Sequence, residues 1–346
     1  MSAAGEPRAR GPAPVMGGGA ARGVLFVLDP LDSLKPHKDS SIAMMRALAA
    51  RAIPVWACTP GQLRWSAVRE GEAGAVSATA SRLELSPPEH ADAGDVWYSP
   101  GPDTLLALTQ FAAVLMRKDP PFDSEYLYTT HLLSAAARDG VPVFNAPEAL
   151  RNHNEKLAIT EFPQFIAPTL VTGEPERILE FLGAQGQIVV KPLDAMGGTG
   201  VFRIGPDEPN THVILETVTQ YGRRTVMAQR YLPQIAQGDK RILLLDGEPV
   251  PYALARIPRP GESRGNLAAG GTGRAQPLGE RDRQIALALG PVLAARGLFL
   301  VGLDVIGDCL TEINVTSPTC FVEIHQQTGF DVAGSFVDKL LRKLGG

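Results

Sequence analysis

Residues 299–315 read FLVGLDVIGDCLTEINV, and the pattern within them decides the fold. Two apolar runs flank the turn pair Gly307-Asp308, so the stretch doubles back as an antiparallel hairpin. The first run carries one acid, Asp304, and the second carries Glu312 and Asn314. Side chains alternate along a strand, which puts Glu312 and Asn314 on one face. Turn parity decides the rest. A turn with an odd residue count, such as Gly307-Asp308-Cys309, sets Asp304 directly opposite Glu312, whereas a two-residue turn sends it to the other face. Two carboxylates and an amide, with no His or Cys, form a hard oxygen set suited to Mg²⁺ shared with phosphates. The bland alternative is a solvated polar strand face, the commoner fate of Asp and Glu. Against it stands Asp304, since an unpaired carboxylate inside an apolar strand is costly to bury.

Working outward, residues 188–191 read as a strand that delivers the ammonium of Lys191 at its end. Residues 194–200, DAMGGTG, follow before a strand over 201–204, giving a hairpin with a glycine-rich tip. Glycines there let backbone N–H groups approach anionic oxygens, and a lysine adds a compact positive charge for phosphate. Taken alone, such a tip is usually just a turn. The Gly-Lys-Ser/Thr ending of a Walker loop is missing, and no Gly-x-Gly-x-x-Gly follows the first strand. Runs over 241–245 and 250–256 flank Asp246-Gly247, a second hairpin signal. Arg241 and Arg256 on that hairpin, Arg264 on the next loop and Arg117 near residue 116 suit a ligand with several carboxylates and phosphate. Any one of them alone reads as surface arginine.

The N-terminal third reads differently. A buried strand over 24–28, a helix over 42–51 behind the capping oxygens of Asp39, Ser40 and Ser41, and a strand over 53–56 make a βαβ-like opening. Residues 71–104 read as loops and weak strands, followed by a strand over 113–116, a helix over 124–138 and a strand over 141–145. Beyond Pro147 short hairpins alternate with helices, as in α+β layers, which puts a domain boundary near residue 146. The segment 257–273 has no periodicity, and a structureless stretch of that length is either disordered or functional.

Composition closes off other classes. With 33 basic and 37 acidic side chains the formal charge is only -4, which supplies no field for tracking a nucleic-acid backbone. Cys58, Cys309 and Cys320 have no metal or redox spacing, so a reduced cytoplasmic setting is expected. The greasiest run, 285–306, is interrupted by Arg296 and Asp304, which argues against a membrane span. Residues 1–22, rich in Ala, Gly, Pro and Arg, are expected to form a disordered tail; a transit peptide is the alternative that the composition allows, but no amphipathic helical pattern or apolar core supports it.

At this point longer strings resemble one family. MRKDPPFD (116–123), NEKL (154–157), KPL (191–193), GDKR (238–241), RGNLAAGG (264–271) and TEINVTSPT (311–319) are similar, in that order, to segments of bacterial-type glutathione synthetases. The resemblance runs from about residue 24 to 340. It implies an α/β (α+β) protein with an N-terminal Rossmann-like pre-ATP-grasp domain (23–146). A two-lobed ATP-grasp region would follow (147–230 and 231–346), with 257–273 as a mobile lid. It also implies a homotetrameric ligase joining γ-glutamylcysteine to glycine, with ATP as co-substrate and Mg²⁺ as cofactor (Mn²⁺ as the alternative).

By matching position, Lys156, Lys191, Met196, Gly197, Gly198 and Gln229 would hold ATP, with Asp239 on the ribose. Asp304, Glu312 and Asn314 would hold the metal. Arg117, Asp39, Ser40 and Asn266 would bind substrate, and Arg241, Arg256 and Arg264 the substrate carboxylates and the transferring phosphate. Two departures stand out: Ala195 where the family usually has glycine, which would strain the loop if that position needs a positive φ, and Arg230 where a smaller polar residue is common. Rival readings are an ATP-grasp ligase for another acid or amine, an ATP sensor without catalysis, and a Rossmann-type oxidoreductase. The RKDPPFD and RGNLAAGG strings oppose the first, the intact lysine and metal positions the second, and the missing glycines the third.

Overall fold

The computed structural model describes residues 23–67, 73–86, 96–262, 265, 267 and 270–345. Three sheets organise them. In the first, the strand Val24–Val27 runs parallel between Val55–Cys58 and Ala113–Met116, with the short strand Val143–Phe144 parallel beyond. All four residues of Val24–Val27 are buried, as expected of a strand covered on both faces. The helix Ser40–Ala49 returns the chain between the first two strands, and its start is fixed by Asp39, whose Oδ1 accepts from the N–H of Ser41 (2.7 Å) and Ile42 (2.9 Å). Residues 71–104 contain more order than their sequence suggests. Ala75–Leu85 is an eleven-residue strand, antiparallel to Val55–Cys58, and Leu63–Ser66, Tyr98–Pro100 and Thr104–Ala107 pair along it.

The second sheet is four-stranded and antiparallel, in the order Phe202–Ile204, Ile188–Pro192, Val226–Arg230, Thr169–Thr172. The third has five antiparallel strands in the order Thr272–Pro277, Glu248–Ile257, Asp239–Leu245, Leu300–Ile306, Cys309–Asn314. Asp246 (φ 49°) and Gly247 (φ 82°) join two of its strands with both central residues left-handed, the geometry for which Asp-Gly is selected.

The N-terminal sheet and the C-terminal helices share a core. Phe26, Ile42 and Met45 pack in one cluster with Phe321 and Phe336, all at most 1% exposed. Asn145 ties the same regions through its side chain. Its Nδ2 donates to the carbonyls of Leu300 (2.8 Å) and Val315 (2.7 Å), and its Oδ1 accepts from Leu300 N–H (2.8 Å). The metal-type hairpin is thereby anchored to the first sheet. Among the described residues no helix is long and apolar enough to cross a membrane.

Candidate active site

The two strands of the hairpin at 299–315 meet through a two-residue turn, since Ile306 pairs with Cys309. By parity alone that turn would separate Asp304 from Glu312. The register shifts once, so that Val305 faces Leu310 while Asp304 faces Glu312, and the extra residue Thr311 is a β-bulge. The pairing expected from an odd turn is therefore reached by an even turn plus a bulge. Thr311 is used on both sides: its Oγ1 donates to the Asp304 carbonyl (3.1 Å), and its carbonyl accepts from Lys191 Nζ (3.0 Å).

This face of the sheet borders a cavity of about 690 Å³. The second sheet forms another wall, through Lys191 of Ile188–Pro192, Met196, Gly197 and Gly198 from the tip that follows it, Gln229 and Arg230 of Val226–Arg230, and Tyr231 just after that strand. Gly197 and Gly198 have φ of 64° and 81°, where an L side chain is strained, whereas Ala195 is not among the positive-φ residues. The alanine therefore carries no backbone strain, and its carbonyl accepts from Lys156 Nζ (2.7 Å). The same ammonium pairs with Glu312 (2.8 Å), so Lys156 joins the glycine-rich tip to the oxygen-rich hairpin. Gln229 is held by Thr169, to whose Oγ1 its Nε2 donates (3.0 Å).

Charges on the third sheet are interlocked. Arg241 Nε and Nη2 donate to the two oxygens of Asp304, at 2.5 and 3.1 Å. Arg256 Nη2 bridges Asp304 (2.8 Å) and Asp239. Burial pushes the Asp304 carboxyl up, but the two guanidinium groups override it and hold the group well below the usual carboxylate range. Asp239 is raised by burial against the pull of Arg256, and its Oδ1 is buried without a partner. Burial lowers Lys191 to about 8, opposed by Glu312 and assisted by Lys156.

Glu312 and Asn314 face the cavity, and Asn314 donates its Nδ2 to Gly302 O (3.3 Å), which turns its oxygen the other way. Asp304 sits behind them with both oxygens taken by arginine. Among the described residues no three His, Cys, Asp or Glu side chains converge on one point. The oxygen donors that face the cavity are the Glu312 carboxylate and the Asn314 amide, with Asp304 engaged by arginine behind them, and hard oxygens of this kind suit a divalent cation such as Mg²⁺.

Of the other expected ligands, Asp39 lines the cavity, while Ser40 and Arg117 do not. Ser40 Oγ accepts from Phe321 N–H (3.2 Å), and Arg117 donates to Ser41 Oγ and Pro318 O, both at 3.0 Å. Both side chains fasten the N-terminal part of the chain to the start of the helix Phe321–Thr328 and the turn before it. Arg264 and Asn266 lie outside the described residues, as do 1–22 and part of the expected lid, where Gly265 and Leu267 line the cavity. A Cβ on Gly265 would meet Arg256 O at 2.3 Å, so only glycine fits there.

One residue escaped the sequence reading of roles. Glu155 Oε1 accepts from Val315 N–H, Thr316 N–H and Thr316 Oγ1 at 2.8, 3.0 and 2.9 Å, fixing the end of the Glu312 strand. Its only signal was adjacency to Lys156. A test of the electrostatics follows from Lys191. If the charged Lys191 amine holds phosphate, kcat/KM for ATP at saturating co-substrates falls as pH rises through about 8, and Lys191→Arg moves that limb to higher pH. A pH profile with no limb near 8 would remove Lys191 from phosphate binding.

Family models match nearly all of the described chain: the prokaryotic glutathione synthetase N-terminal domain over residues 23–151 and the ATP-grasp domain of the same family over 155–329. Similar relatives include the glutathione synthetase of Ralstonia nicotianae, 57% identical over 93% of this chain and 96% of that protein. That of Nitrosomonas europaea is 56% identical over 91% and 96%. Among solved structures, the D-cycloserine synthetase DcsG superposes with a TM-score of 0.63 at 17% identity, covering 93% of this chain and 100% of that one. A RimK domain ATP-grasp protein from Sphaerobacter thermophilus gives 0.57 at 20% identity, covering 92% and 98%. At such identities these structures speak for the fold alone.

Proposed function

The chain belongs to the prokaryotic glutathione synthetase family of ATP-grasp ligases, and from that premise we propose how its cavity joins γ-glutamylcysteine to glycine with cleavage of ATP to ADP and phosphate. The observation that carries the reading is the convergence of a glycine-rich tip, two lysines and an oxygen-rich strand pair on one cavity. A carboxylate is a poor electrophile, so the cysteinyl carboxylate first attacks the γ-phosphoryl group, releasing ADP and forming an acyl phosphate. Glycine's amine then attacks that carbonyl, the C–O bond to phosphate breaks, and the amine proton leaves with solvent. No protein nucleophile is required; the chain contributes alignment and charge.

In this reading Lys156 and Lys191 grip the transferring phosphate, the backbone N–H groups at 196–198 cradle its neighbours, and the Gln229 strand end meets adenine. Asp239 holds the ribose. Arg241, Arg256 and Arg264 bind the reacting carboxylates and the transferring phosphate, Asp39 and Asn266 bind the remainder of the acid substrate, and Arg117 and Ser40, whose side chains bond protein groups outside the cavity lining, position the elements around it. Asp304, Glu312 and Asn314 would hold Mg²⁺, with Mn²⁺ as the alternative, and the ion supplies neutralisation of phosphate charge. Segment 257–273 closes over the intermediate, since an acyl phosphate open to water is hydrolysed before the amine arrives. The further reading is a homotetramer in the cytoplasm, with residues 23–146 and 147–346 as its two domains. Three unpaired cysteines support the reducing compartment.

The test is phosphate release from ATP and Mg²⁺ with γ-glutamylcysteine, with and without glycine, alongside detection of glutathione. Glycine-dependent release matched by glutathione is the expected outcome. Folded, ATP-binding protein that releases no phosphate with both substrates would transfer the assignment to a different acid–amine pair.

A further inference from the structure

At one end of the cavity, two helix starts from distant parts of the chain meet. Asp39 caps the helix Ser40–Ala49, and Glu323 lies in the first turn of the helix Phe321–Thr328. The hydrogen bond from Phe321 N–H to Ser40 Oγ fixes one start against the other. Both residues line the cavity, and so do Lys35 and Lys38 from the loop before Asp39. Asp39 spends Oδ1 on its own helix, at Ser41 and Ile42, and no hydrogen bond to Oδ2 exists among the described residues. Glu323 Oε2 is shut off from solvent and has no hydrogen-bond partner. The electrostatic surroundings of Glu323 are Lys38, His37 and Asp39, and burial raises its carboxyl. A buried acceptor without a donor is costly, and it remains so until a ligand brings one.

We propose that Glu323, with Asp39, receives the α-ammonium of the acid substrate's γ-glutamyl head, while Lys35 and Lys38 receive the carboxylate on the same carbon. An amino-acid head carries both charges on adjacent groups, and this end of the cavity offers both complements within one loop and one helix turn. Phosphate is disfavoured there by the carboxylates, Asp119 acting on Asp39 among them, and among the described residues no three His, Cys, Asp or Glu side chains are grouped closely enough to hold a metal ion. Glu323 is thus a specificity-determining residue, distant in sequence from the lysines that grip phosphate. The assignment rests on the reading of γ-glutamylcysteine as the acid substrate.

The experiment compares γ-glutamylcysteine with glutarylcysteine, which lacks only the ammonium, in the full-length enzyme and in Glu323→Gln. Wild type is expected to prefer γ-glutamylcysteine in kcat/KM by about 30-fold, the size expected of a charged hydrogen bond. In Glu323→Gln that preference falls to a few-fold, while KM for ATP and for glycine and the melting temperature stay near wild type. Glutarylcysteine used as well as γ-glutamylcysteine by wild type overturns the proposal, and so does a Glu323→Gln enzyme that keeps the full preference. If Glu323→Gln does not fold, the wild-type comparison and Asp39→Asn, read by the same ratio, decide the matter. Wild type inactive with both acids is a different failure, that of the substrate reading itself.

Discussion

Glu312→Ala is expected to reduce glycine-dependent phosphate release by about 10³-fold while the protein stays folded. The carboxylate carries two duties: it faces the cavity beside Asn314, and it pairs with Lys156 Nζ at 2.8 Å. On the proposed roles, removing it deletes a cation ligand and also frees the Lys156 ammonium from its partner. Loss of one preorganised electrostatic group typically lowers kcat by about 10²–10³-fold, and two coupled duties put the effect at the upper end. Folding survives because Cys309–Asn314 is the edge strand of its sheet and the Glu312 side chain is 22% exposed. Glu312→Gln, which keeps the shape, is expected to lose nearly as much and to require more Mg²⁺ for half-maximal rate. Retention of activity within tenfold in both variants would remove Glu312 from the metal set.

The largest effect on stability belongs to Arg256→Met. Arg256 is 4% exposed and serves two buried carboxylates, Asp239 and Asp304, while Arg241 serves Asp304 alone among the described pairs. Taking it away strands Asp239. Breaking a buried pair from one side costs about 3–5 kcal/mol, because the remaining charge is uncompensated. The sign of the pH dependence follows from Asp239, whose folded pKa burial already raises. A raised carboxyl pKa means the folded state holds its proton more tightly. The stabilisation that this gives is full below the ordinary value of 3.8 and is lost as pH rises through the folded value. The deficit of Arg256→Met is therefore larger at pH 8 than at pH 5. Adding Asp239→Asn should recover much of the lost stability without restoring activity. Denaturant melts of the two variants at both pH values check this, and a pH-independent deficit that Asp239→Asn leaves unchanged would contradict it.

Sequence legibility followed the strength of local signals. The Lys191 strand, the Asp246-Gly247 hairpin and the Ala113–Met116 strand announce themselves through apolar runs and turn chemistry. The strand Ala75–Leu85 did not, because its inward residues include Ala78 and Ala80, too small to raise an alternating apolar pattern above the serines and threonines between them. Residues 141–145 read as a strand, yet only Val143–Phe144 pairs, since Asn145 turns aside to bond the third sheet. Chemistry was legible as residue type but not as geometry. Arg117 and Ser40 read as ligands from residue type, whereas their side chains bond segments about 200 and 280 residues away, a placement that no local pattern carries. The arginine partners of Asp304, Arg241 on the neighbouring strand and Arg256 on the strand beyond it, lie roughly fifty or more residues earlier in the chain, out of reach of any local pattern.

The bulge at Thr311 has a consequence for how such a hairpin changes over generations. The phase of Asp304 against Glu312 depends on the sum of turn length and bulge, so it behaves like a reading frame: one residue gained in the turn inverts it, and one residue lost at the bulge restores it. Single-residue length variation there is tolerated only in compensating pairs. Lys191 reads the frame as well, because its ammonium bonds the carbonyl of the bulged residue, and flattening the strand would withdraw that acceptor. Length in this short segment is therefore under the same selection as the identity of the ligands it carries.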